Sequence, residues 1–285
     1  MELMLEVTPP SRRASKRLMM QSVKRIADAV NRTGNVNYIN IPEIVDENFR
    51  GMPLYRHYDT REFGLRVEKV IGRQIVINKI TVHMKSRGEL LSWVRESVKH
   101  YGLNRFVFVG GSVEGREYRG PTVTESNRIA SKINGVKIGN ICIPTRKNEP
   151  SRMLSKTESG ASFFTTQVLL DSKPIKRVLK DYRALCSKKG IVPATVFLSF
   201  AAVSTPFDLE FIEWLGAEIP DKTETYLLRD SDLGPRIGRL YASILSDIKG
   251  FVSKNDVNVP LGLNIESISA TNLEGACRTA EALTE

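Results

Sequence analysis

The stretch Leu3–Val7, which reads LMLEV, decides the fold together with the turn Thr8–Pro10, which reads TPP. Four apolar residues in five predict a strand that is buried on both faces, as in a parallel sheet covered by helices. Apolar residues then recur at helical spacing over 14–32, and a second apolar strand follows over 36–41. A dinucleotide-binding sheet would carry a glycine-rich phosphate turn where this chain has Thr-Pro-Pro.

This alternation of strand and helix recurs eight times. After the first two, strands are predicted over 74–81, 105–109, 136–143, 162–170, 194–200 and 261–265. Helices are predicted over 61–70, from Ser86, from Thr122, over 151–158 and 175–185, from Thr205, over 235–252 and over 272–283. Eight such units in 285 residues match one (β/α)8 TIM barrel, and a doubly wound open sheet is the alternative. We therefore predict a single barrel domain over 1–285, with a long loop over 42–60.

Three of the predicted helices begin with capping signals. Ser86 with Glu89, and Thr122 with Glu125, have the spacing at which two side chains satisfy unpaired backbone N–H groups reciprocally. Pro206 follows Thr205 at a first-turn position, where its missing N–H costs nothing.

The composition is that of a globular chain, with 41% hydrophobic and 26% charged residues. Apolar runs fall short of the roughly 20 residues of a membrane span, and the first ten residues lack the features of a signal peptide. We therefore predict no membrane association and a cytoplasmic location. The three cysteines and three histidines are scattered, without a CxxC pair, so we predict no metal site.

The chain is basic, with 42 Lys and Arg residues against 32 Asp and Glu residues and a net charge of +10. Such a charge favours anionic partners. The basic clusters over 11–17 and 173–189 lack the interleaved aromatic residues of a nucleic-acid groove, so we predict no nucleic-acid partner. A non-catalytic basic barrel that binds folate or a polyanion stays open as an alternative.

Candidate site residues lie where the predicted strands end, because TIM barrels carry their chemistry at the carboxyl ends of the strands. Glu6 lies inside an apolar strand, and burial would raise the pKa of its carboxyl group, as a general acid requires. The same reasoning about burial and pKa applies to Glu266, at the end of the last predicted strand. Gln167 lies between apolar residues, and a buried amide there suits a heterocycle with donors and acceptors on one edge. A salt-bridged glutamate and a core glutamine are the structural alternatives.

Further polar residues follow other strands. Thr81 and Ser199 lie at strand ends and are candidate substrate contacts. Gly110–Gly111–Ser112 would let a ligand approach the backbone closely, although a tight loop is an equal reading. Thr145–Arg146, with Arg152 and Lys156 behind it, is a candidate site for a phosphate or carboxylate group, and a solvated helix start is the alternative.

Two motifs resemble those of the methylenetetrahydrofolate reductases. Leu5–Pro10, LEVTPP, is similar to the E-x-x-P-P of their first strand, and Ser159–Asp171, SGASFFTTQVLLD, is similar to the A-G-A … T-Q … F-D of their sixth. The resemblance implies a TIM barrel that reduces 5,10-methylenetetrahydrofolate to the 5-methyl form. It also implies that Glu6 is the catalytic acid, that Gln167 bonds the pterin, and that Glu149 and Lys156 lie near cofactor contacts.

Departures from the family pattern concern the cofactor. Flavin-dependent members carry R-G-D after the fourth strand, where this chain has Gly110–Ser112, and a Tyr-Pro … His-Pro segment after the fifth, where it has Ile141–Arg146. The segment 143–146 and the strand ends at Ser199 and Glu266 look more like the flavin-independent branch. The resemblance then implies direct hydride transfer from NAD(P)H, with an FAD-dependent ping-pong enzyme as the alternative. A folate or related pterin is the expected substrate, and a homo-oligomer is compatible with the sequence.

Overall fold

Barrel strands and helices alternate in the computed structural model, which describes residues 1–48, 52–111, 116–229, 233–269 and 272–284. Within these ranges the strands are β1 (Leu3–Val7), β2 (Tyr38–Ile41), β3 (Val45–Glu47), β4 (Pro53–Tyr55), β5 (Gln74–Ile80), β6 (Arg105–Val109), β7 (Lys137–Cys142), β8 (Phe163–Thr166), β9 (Thr195–Ala201) and β10 (Leu261–Ser267). The helices are α1 (Lys16–Thr33), α2 (Thr60–Ile71), α3 (Arg87–Tyr101), α4 (Val123–Ala130), α5 (Glu149–Glu158), α6 (Ser172–Lys189), α7 (Pro206–Trp214), α8 (Asp221–Leu227), α9 (Leu233–Lys254) and α10 (Leu273–Thr284). The hairpin β3–β4 and the run of helices α7–α9 interrupt the alternation.

Eight parallel strands close into a barrel in the order β1-β10-β9-β8-β7-β6-β5-β2. The closing seam pairs β1 with β10, so that Glu6 is level with Glu266, and β1 also pairs with β2, where Glu6 is level with Asn40. The predicted (β/α)8 barrel is confirmed.

The barrel interior has an apolar floor and a polar upper layer. Met4, Val76, Val107, Phe163 and Phe197 form the inner apolar cluster, in which the two phenylalanine rings meet edge to face with centroids 6.0 Å apart. Two glycines make room for these rings, because a Cβ on Gly139 or Gly262 would lie 2.3 Å and 2.5 Å, respectively, from a ring atom. Strand side chains alternate between faces, so polar residues two positions after this cluster point inward nearer the carboxyl end.

The expected helix caps form with one difference. Thr122 and Glu125 make the full capping box, and Thr205 makes another with Asp208. Ser86 caps α3 by accepting from the Glu89 backbone N–H, but the Glu89 carboxylate accepts from the Lys85 N–H instead of completing the box at Ser86.

Three elements differ from the sequence prediction. The sixth barrel strand, predicted over 162–170, is only β8, Phe163–Thr166, because the chain bends at Gln167 towards α6. The loop predicted over 42–60 contains the antiparallel hairpin β3–β4, and its final residue, Thr60, opens α2. Helix α8 lies where no element was predicted.

Candidate active site at the carboxyl end of the barrel

Glu6 lies on the inward face of β1, two residues beyond Met4 of the inner cluster. The intervening Leu5 is fully buried and packs outward into the helical layer. Strand alternation therefore directs the Glu6 carboxylate into the upper layer of the barrel. There the Asn40 Nδ2 donates a hydrogen bond of 2.5 Å to Glu6 Oε2.

Glu266 and Asn264 share the inward face of β10, beside Glu6. The Asn264 Nδ2 donates to Glu266 Oε1 at 3.1 Å and to the Ser199 Oγ at 2.9 Å. Glu6 and Glu266 are register partners across the seam, so two carboxyl groups occupy one polar layer. Two amides and one hydroxyl hold this pair.

The two carboxyl groups hold protons more tightly than ordinary glutamates. Burial raises the pKa of Glu6 well above its usual range, and the nearby charge of Glu266 raises it further. Burial likewise raises the pKa of Glu266, to about 7, against the opposing hydrogen bonds from Ser199 and Asn264. Two neighbouring carboxylates that leave water cannot both ionise cheaply, so the pair retains a proton near neutral pH. The arrangement can act as a general acid.

Two amide oxygens of this layer are free to accept. Asn40 Oδ1 and Asn264 Oδ1 are buried and have no hydrogen-bond donor within the part of the chain that the structure describes. Asn78 Oδ1, on the inward face of β5, is likewise buried without a hydrogen-bond donor among the described residues. A buried acceptor without a donor is costly, and a protonated carboxyl group or a ligand N–H would satisfy it.

The other predicted substrate contacts are placed differently. Ser199 is fully buried within the carboxylate layer, where its Oγ accepts from Asn264. Thr81 is also fully buried, but its hydroxyl donates to the carbonyl oxygens of Pro121 (3.1 Å) and Val109 (3.4 Å). Thr81 therefore ties the end of β5 to the loop after β6.

Gln167 follows β8 at the carboxyl end and is half-buried. Its Nε2 donates to the Leu215 carbonyl at 3.0 Å, and its Oε1 accepts from the Val168 N–H at 3.0 Å. The amide thus holds the segment after α7, and a heterocycle would have to replace these bonds to reach it.

Gly110 and Gly111 follow β6, and Ser112 lies outside the described residues. A Cβ on Gly111 would lie 2.2 Å from the ring of Tyr118, so the glycine lets that ring pack on the backbone. The Tyr118 hydroxyl in turn donates to Glu47 of β3, at 3.2 Å. A tight approach to the backbone does occur here, and a protein side chain makes it.

The four remaining candidate cofactor residues divide into two pairs. Glu149 is fully buried, and its Oε1 accepts from the Ile143 N–H at 3.1 Å and from the Lys156 Nζ at 3.4 Å. The same Nζ donates to the Ile141 carbonyl at 2.7 Å. Thr145 and Arg146 are exposed instead.

The contacts of Glu149 and Lys156 bear on the cofactor role that the resemblance implies for them. Burial lowers the pKa of Lys156, against the opposing effect of Glu149, as is usual for a cation enclosed by protein. Glu149 and Lys156 thus bond to each other and to backbone groups of Ile143 and Ile141, and Glu149 Oε2 is buried without a hydrogen-bond donor within the described residues.

The loop before α2 makes a second set of polar contacts that the sequence did not reveal. Lys79 Nζ lies 2.6 Å from Glu43 Oε1, and the Ile80 N–H donates to Glu43 Oε2 at 2.8 Å. On the hairpin, Glu47 lies 3.1 Å from His83 Nε2 and 2.7 Å from Arg116 Nη1. These contacts fasten the loop to the rim of the barrel and border a cavity of about 460 Å³ beside α3.

Asn40, Asn78 and Asn264 are the main site residues absent from the predicted set. Each lies in an apolar strand, and Asn40 and Asn264 follow the inward positions Tyr38 and Gly262 by two residues. The sequence could have indicated these asparagines by their spacing, since each lies two residues from an inward-facing position of its strand. Only the strand register shows which carboxylate Asn40 and Asn264 each bond.

Cys142, Cys186 and Cys277 are buried free thiols. Within the described ranges there is no cluster of three or more His, Cys, Asp or Glu residues suited to a metal ion. Across the same ranges, every helix is too short or too polar to cross a membrane.

The fold and this layer define a (β/α)8 barrel with a carboxylate pair at its carboxyl end. The chain is similar in structure to a solved protein described as an uncharacterized protein from Clostridium thermocellum that binds two copies of 5-methyl-5,6,7,8-tetrahydrofolic acid. The TM-score is 0.80 and the sequence identity 22%, over 98% of this chain and 93% of that chain. At this identity the likeness establishes the shared fold. No protein-family model and no curated protein matches the sequence.

Proposed function

We propose that this chain binds a reduced folate at the carboxyl end of its barrel and reduces 5,10-methylenetetrahydrofolate to the 5-methyl form. The observation that carries the proposal is the pair Glu6 and Glu266, two half-buried carboxyl groups whose desolvation raises their pKa values, in the layer where TIM barrels place their chemistry. The folate-binding protein of the same fold supports the ligand class.

Glu6 is the proposed general acid. Donating its proton to a bridging nitrogen of the substrate would break the bond from that nitrogen to the methylene carbon and leave an electrophilic iminium. A hydride from NAD(P)H, the proposed donor, would then reduce that carbon to the methyl group. A carboxyl group whose pKa is raised by burial suits this step, because it holds the proton that the substrate nitrogen must receive.

Glu266 and the asparagines are proposed to prepare Glu6 and to receive the pterin. A second carboxylate beside Glu6 favours its protonated form, and the Asn40 amide fixes the orientation of its carboxyl group. The amino group and ring N–H of a pterin are donors, which suits a layer rich in carboxylate and amide oxygens.

Direct hydride transfer is preferred over a bound flavin. The observation behind this choice is that Glu149 and Lys156 are closed within the β7–α5 junction. An FAD-dependent enzyme would need its flavin contacts elsewhere on the chain.

A second candidate is a barrel that binds folate without reducing it. This second candidate is favoured by the similar Clostridium thermocellum protein, which is described as binding 5-methyltetrahydrofolate. Both candidates need the same binding site, and they differ in whether a nicotinamide is consumed.

The deciding experiment follows NADH and NADPH oxidation anaerobically, with methylenetetrahydrofolate added to start the reaction and the visible spectrum recorded beforehand. Oxidation by a colourless protein that depends on folate supports direct transfer. A flavin band with ping-pong kinetics would replace direct transfer by the FAD-dependent reaction. Saturable binding of 5-methyltetrahydrofolate without oxidation would establish the second candidate, and absence of both would refute the proposal.

A further inference from the structure

Helix α7 presents a stripe of aromatic side chains to solvent. Phe207, Phe211 and Trp214 recur at intervals of four and three residues, which places them on one side of the helix. The rings of Phe211 and Trp214 stack with centroids 5.8 Å apart, and Phe207 and Trp214 are 72% and 73% exposed. Leu215, also exposed, extends the stripe beyond the end of the helix. A contiguous apolar patch of this kind marks a surface that binds another molecule.

Acidic residues surround this stripe. Residues 205–227 include six acidic residues and one basic residue, although the net charge of the chain is +10. Five of the six acidic side chains are exposed, namely Glu210, Glu213, Glu218, Asp221 and Glu224. We call the exposed part of 205–227 the acidic surface. It repels the phosphates of nucleic acids and of anionic lipids, and it attracts a partner that is both basic and apolar.

The same chain carries a surface of the opposite character at the start of α1. Residues 12–25 include no acidic residue and six exposed basic residues, which are Arg12, Arg13, Lys16, Arg17, Lys24 and Arg25. Leu18 and Met20 are exposed among them, and Met20 lies four residues from both Lys16 and Lys24, so it has a cation on either side. We call the exposed part of 12–25 the basic surface.

The charges of both surfaces are unpaired within the chain. In the part of the chain that the structure describes, none of the six acidic residues and none of the six basic residues forms an ion pair. The two surfaces therefore match in number of charges, are opposite in sign and each have exposed apolar side chains. A second copy of this chain supplies the basic, apolar partner that the acidic surface requires.

The positions of the two surfaces allow both to be covered at once. Helix α1 follows the carboxyl end of β1 and α7 follows that of β9, so both surfaces belong to the same end of the barrel. In the sheet β10 lies between β1 and β9, and α10 follows β10. A twofold axis parallel to the barrel axis and beside α10 would bring the acidic surface of each copy against the basic surface of the other. Such a contact is closed and does not propagate into a filament.

We propose that two copies of this chain form a dimer in which the acidic surface of each copy binds the basic surface of the other. In each contact Phe207 and Trp214 cover the apolar patch around Met20, and the opposite charges pair around them, as in the apolar centre and polar rim of protein interfaces. A buried aromatic side chain removes roughly 150–250 Å² from water, so four such rings supply a substantial part of the roughly 1,200–2,000 Å² of a stable interface. The inference goes beyond the folate proposal and does not depend on it.

The test measures the monomer–dimer dissociation constant by sedimentation equilibrium for two charge-reversed variants. The basic-surface variant is Arg17→Glu with Lys24→Glu, and the acidic-surface variant is Glu210→Lys with Glu213→Lys. Each variant alone has like charges in both contacts, so we expect its dissociation constant to rise at least about tenfold. An equimolar mixture of the two should dimerise again, because a mixed pair has one contact with its original charges and one contact with both charges exchanged.

Two controls separate this dimer from other effects. Lys249→Glu with Lys254→Glu makes the same change of charge as the basic-surface variant on exposed residues of α9, and it should leave the dissociation constant unchanged. Trp214 is exposed whereas the other tryptophan, Trp93, is half-buried, so dimerisation should shift the emission to shorter wavelength, and Trp214→Phe should remove that shift.

Three results would overturn the proposal. The first is a chain that stays monomeric at every concentration. The second is a dimer that neither charge-reversed variant weakens, which would place the interface elsewhere. The third is a mixture of the two variants that stays monomeric, which would show that the two surfaces do not bind each other.

Discussion

Glu6 and Glu266 are register partners on the two strands that close the barrel, and each carboxyl group makes the ionisation of the layer harder. The same burial that makes this pair costly at high pH makes it a proton donor near neutrality.

Replacing Glu6 by Gln should remove the acid and keep the shape. We expect turnover of methylenetetrahydrofolate to fall by about 10²–10⁴-fold, the usual contribution of a positioned general acid. The matched control is Glu2→Gln, just before the same strand, where the carboxylate accepts a bond from the Tyr38 hydroxyl. Steady-state kinetics with circular dichroism of both variants are the measurement. Full activity in the Glu6→Gln protein would remove Glu6 from the mechanism.

Replacing Glu266 by Gln should change how stability depends on pH. The folded-state pKa of Glu266 lies above its ordinary value, at about 7, so its favourable contribution is complete at acid pH and is lost as pH rises through that value. Glutamine does not ionise, so the variant does not lose stability in this way as the pH rises. When the pH is raised from 4.5 to 8, the difference in unfolding free energy between the variant and the unaltered protein should therefore shift by about 2 kcal/mol in favour of the variant. Urea unfolding at both pH values is the measurement, and a difference that does not vary with pH would contradict the prediction.

Replacing Gly120 by Ala should destabilise the loop that Thr81 holds. A Cβ at Gly120 would lie 2.3 Å from the Thr81 carbonyl oxygen and 2.7 Å from that of Met84, and backbone cannot move aside as a flexible side chain can. We expect a loss of about 1–3 kcal/mol. Gly88→Ala is the control, because its nearest neighbour would be the Ser86 Oγ at 3.7 Å and alanine favours the helix. The measurement is the thermal unfolding midpoint of both variants. Equal midpoints for Gly120→Ala and Gly88→Ala would contradict the prediction and show that the loop can move to accept the added Cβ.

Replacing Glu149 by Ala should reveal a structural ion pair. The change leaves the Lys156 ammonium and the Ile143 N–H buried without a carboxylate partner, which costs about 3–5 kcal/mol for a buried pair. The control, Glu158→Ala, removes an exposed partner of Lys189 and should cost less than about 1 kcal/mol. Denaturant unfolding measures both. A stable Glu149→Ala protein with altered cofactor affinity would instead favour the cofactor role implied by the family pattern.

Much of the architecture could be predicted from the sequence because it depends on local patterns. Leu3–Val7 and its counterparts are apolar in a way that suits strands buried on both faces, and the helices between them repeat apolar residues at helical spacing. The hairpin β3–β4 could not be predicted in this way. Its strands are three residues each, and contacts such as that of Glu47 with Arg116 fix it to a segment far along the chain.

The site shows the same division between local and distant information. Glu6 was predicted because a carboxylate within an apolar strand is conspicuous by itself. Its bond to Asn40 and its pairing with Glu266 depend on strand register, which a linear pattern does not contain. Gln167 shows the opposite case: its apolar neighbours predicted a buried strand amide, whereas β8 ends one residue earlier and leaves the side chain to the Leu215 carbonyl.

The closing seam also has a consequence for biosynthesis. Glu6 is synthesised long before Glu266, and only the pairing of β1 with β10 brings them together. A nascent chain that lacks its last strand has Glu6 but no companion carboxylate, so its acidity should be closer to that of a free glutamate. The proton-holding pair therefore arises only when the barrel closes, which delays acid chemistry until synthesis of the last strand is finished.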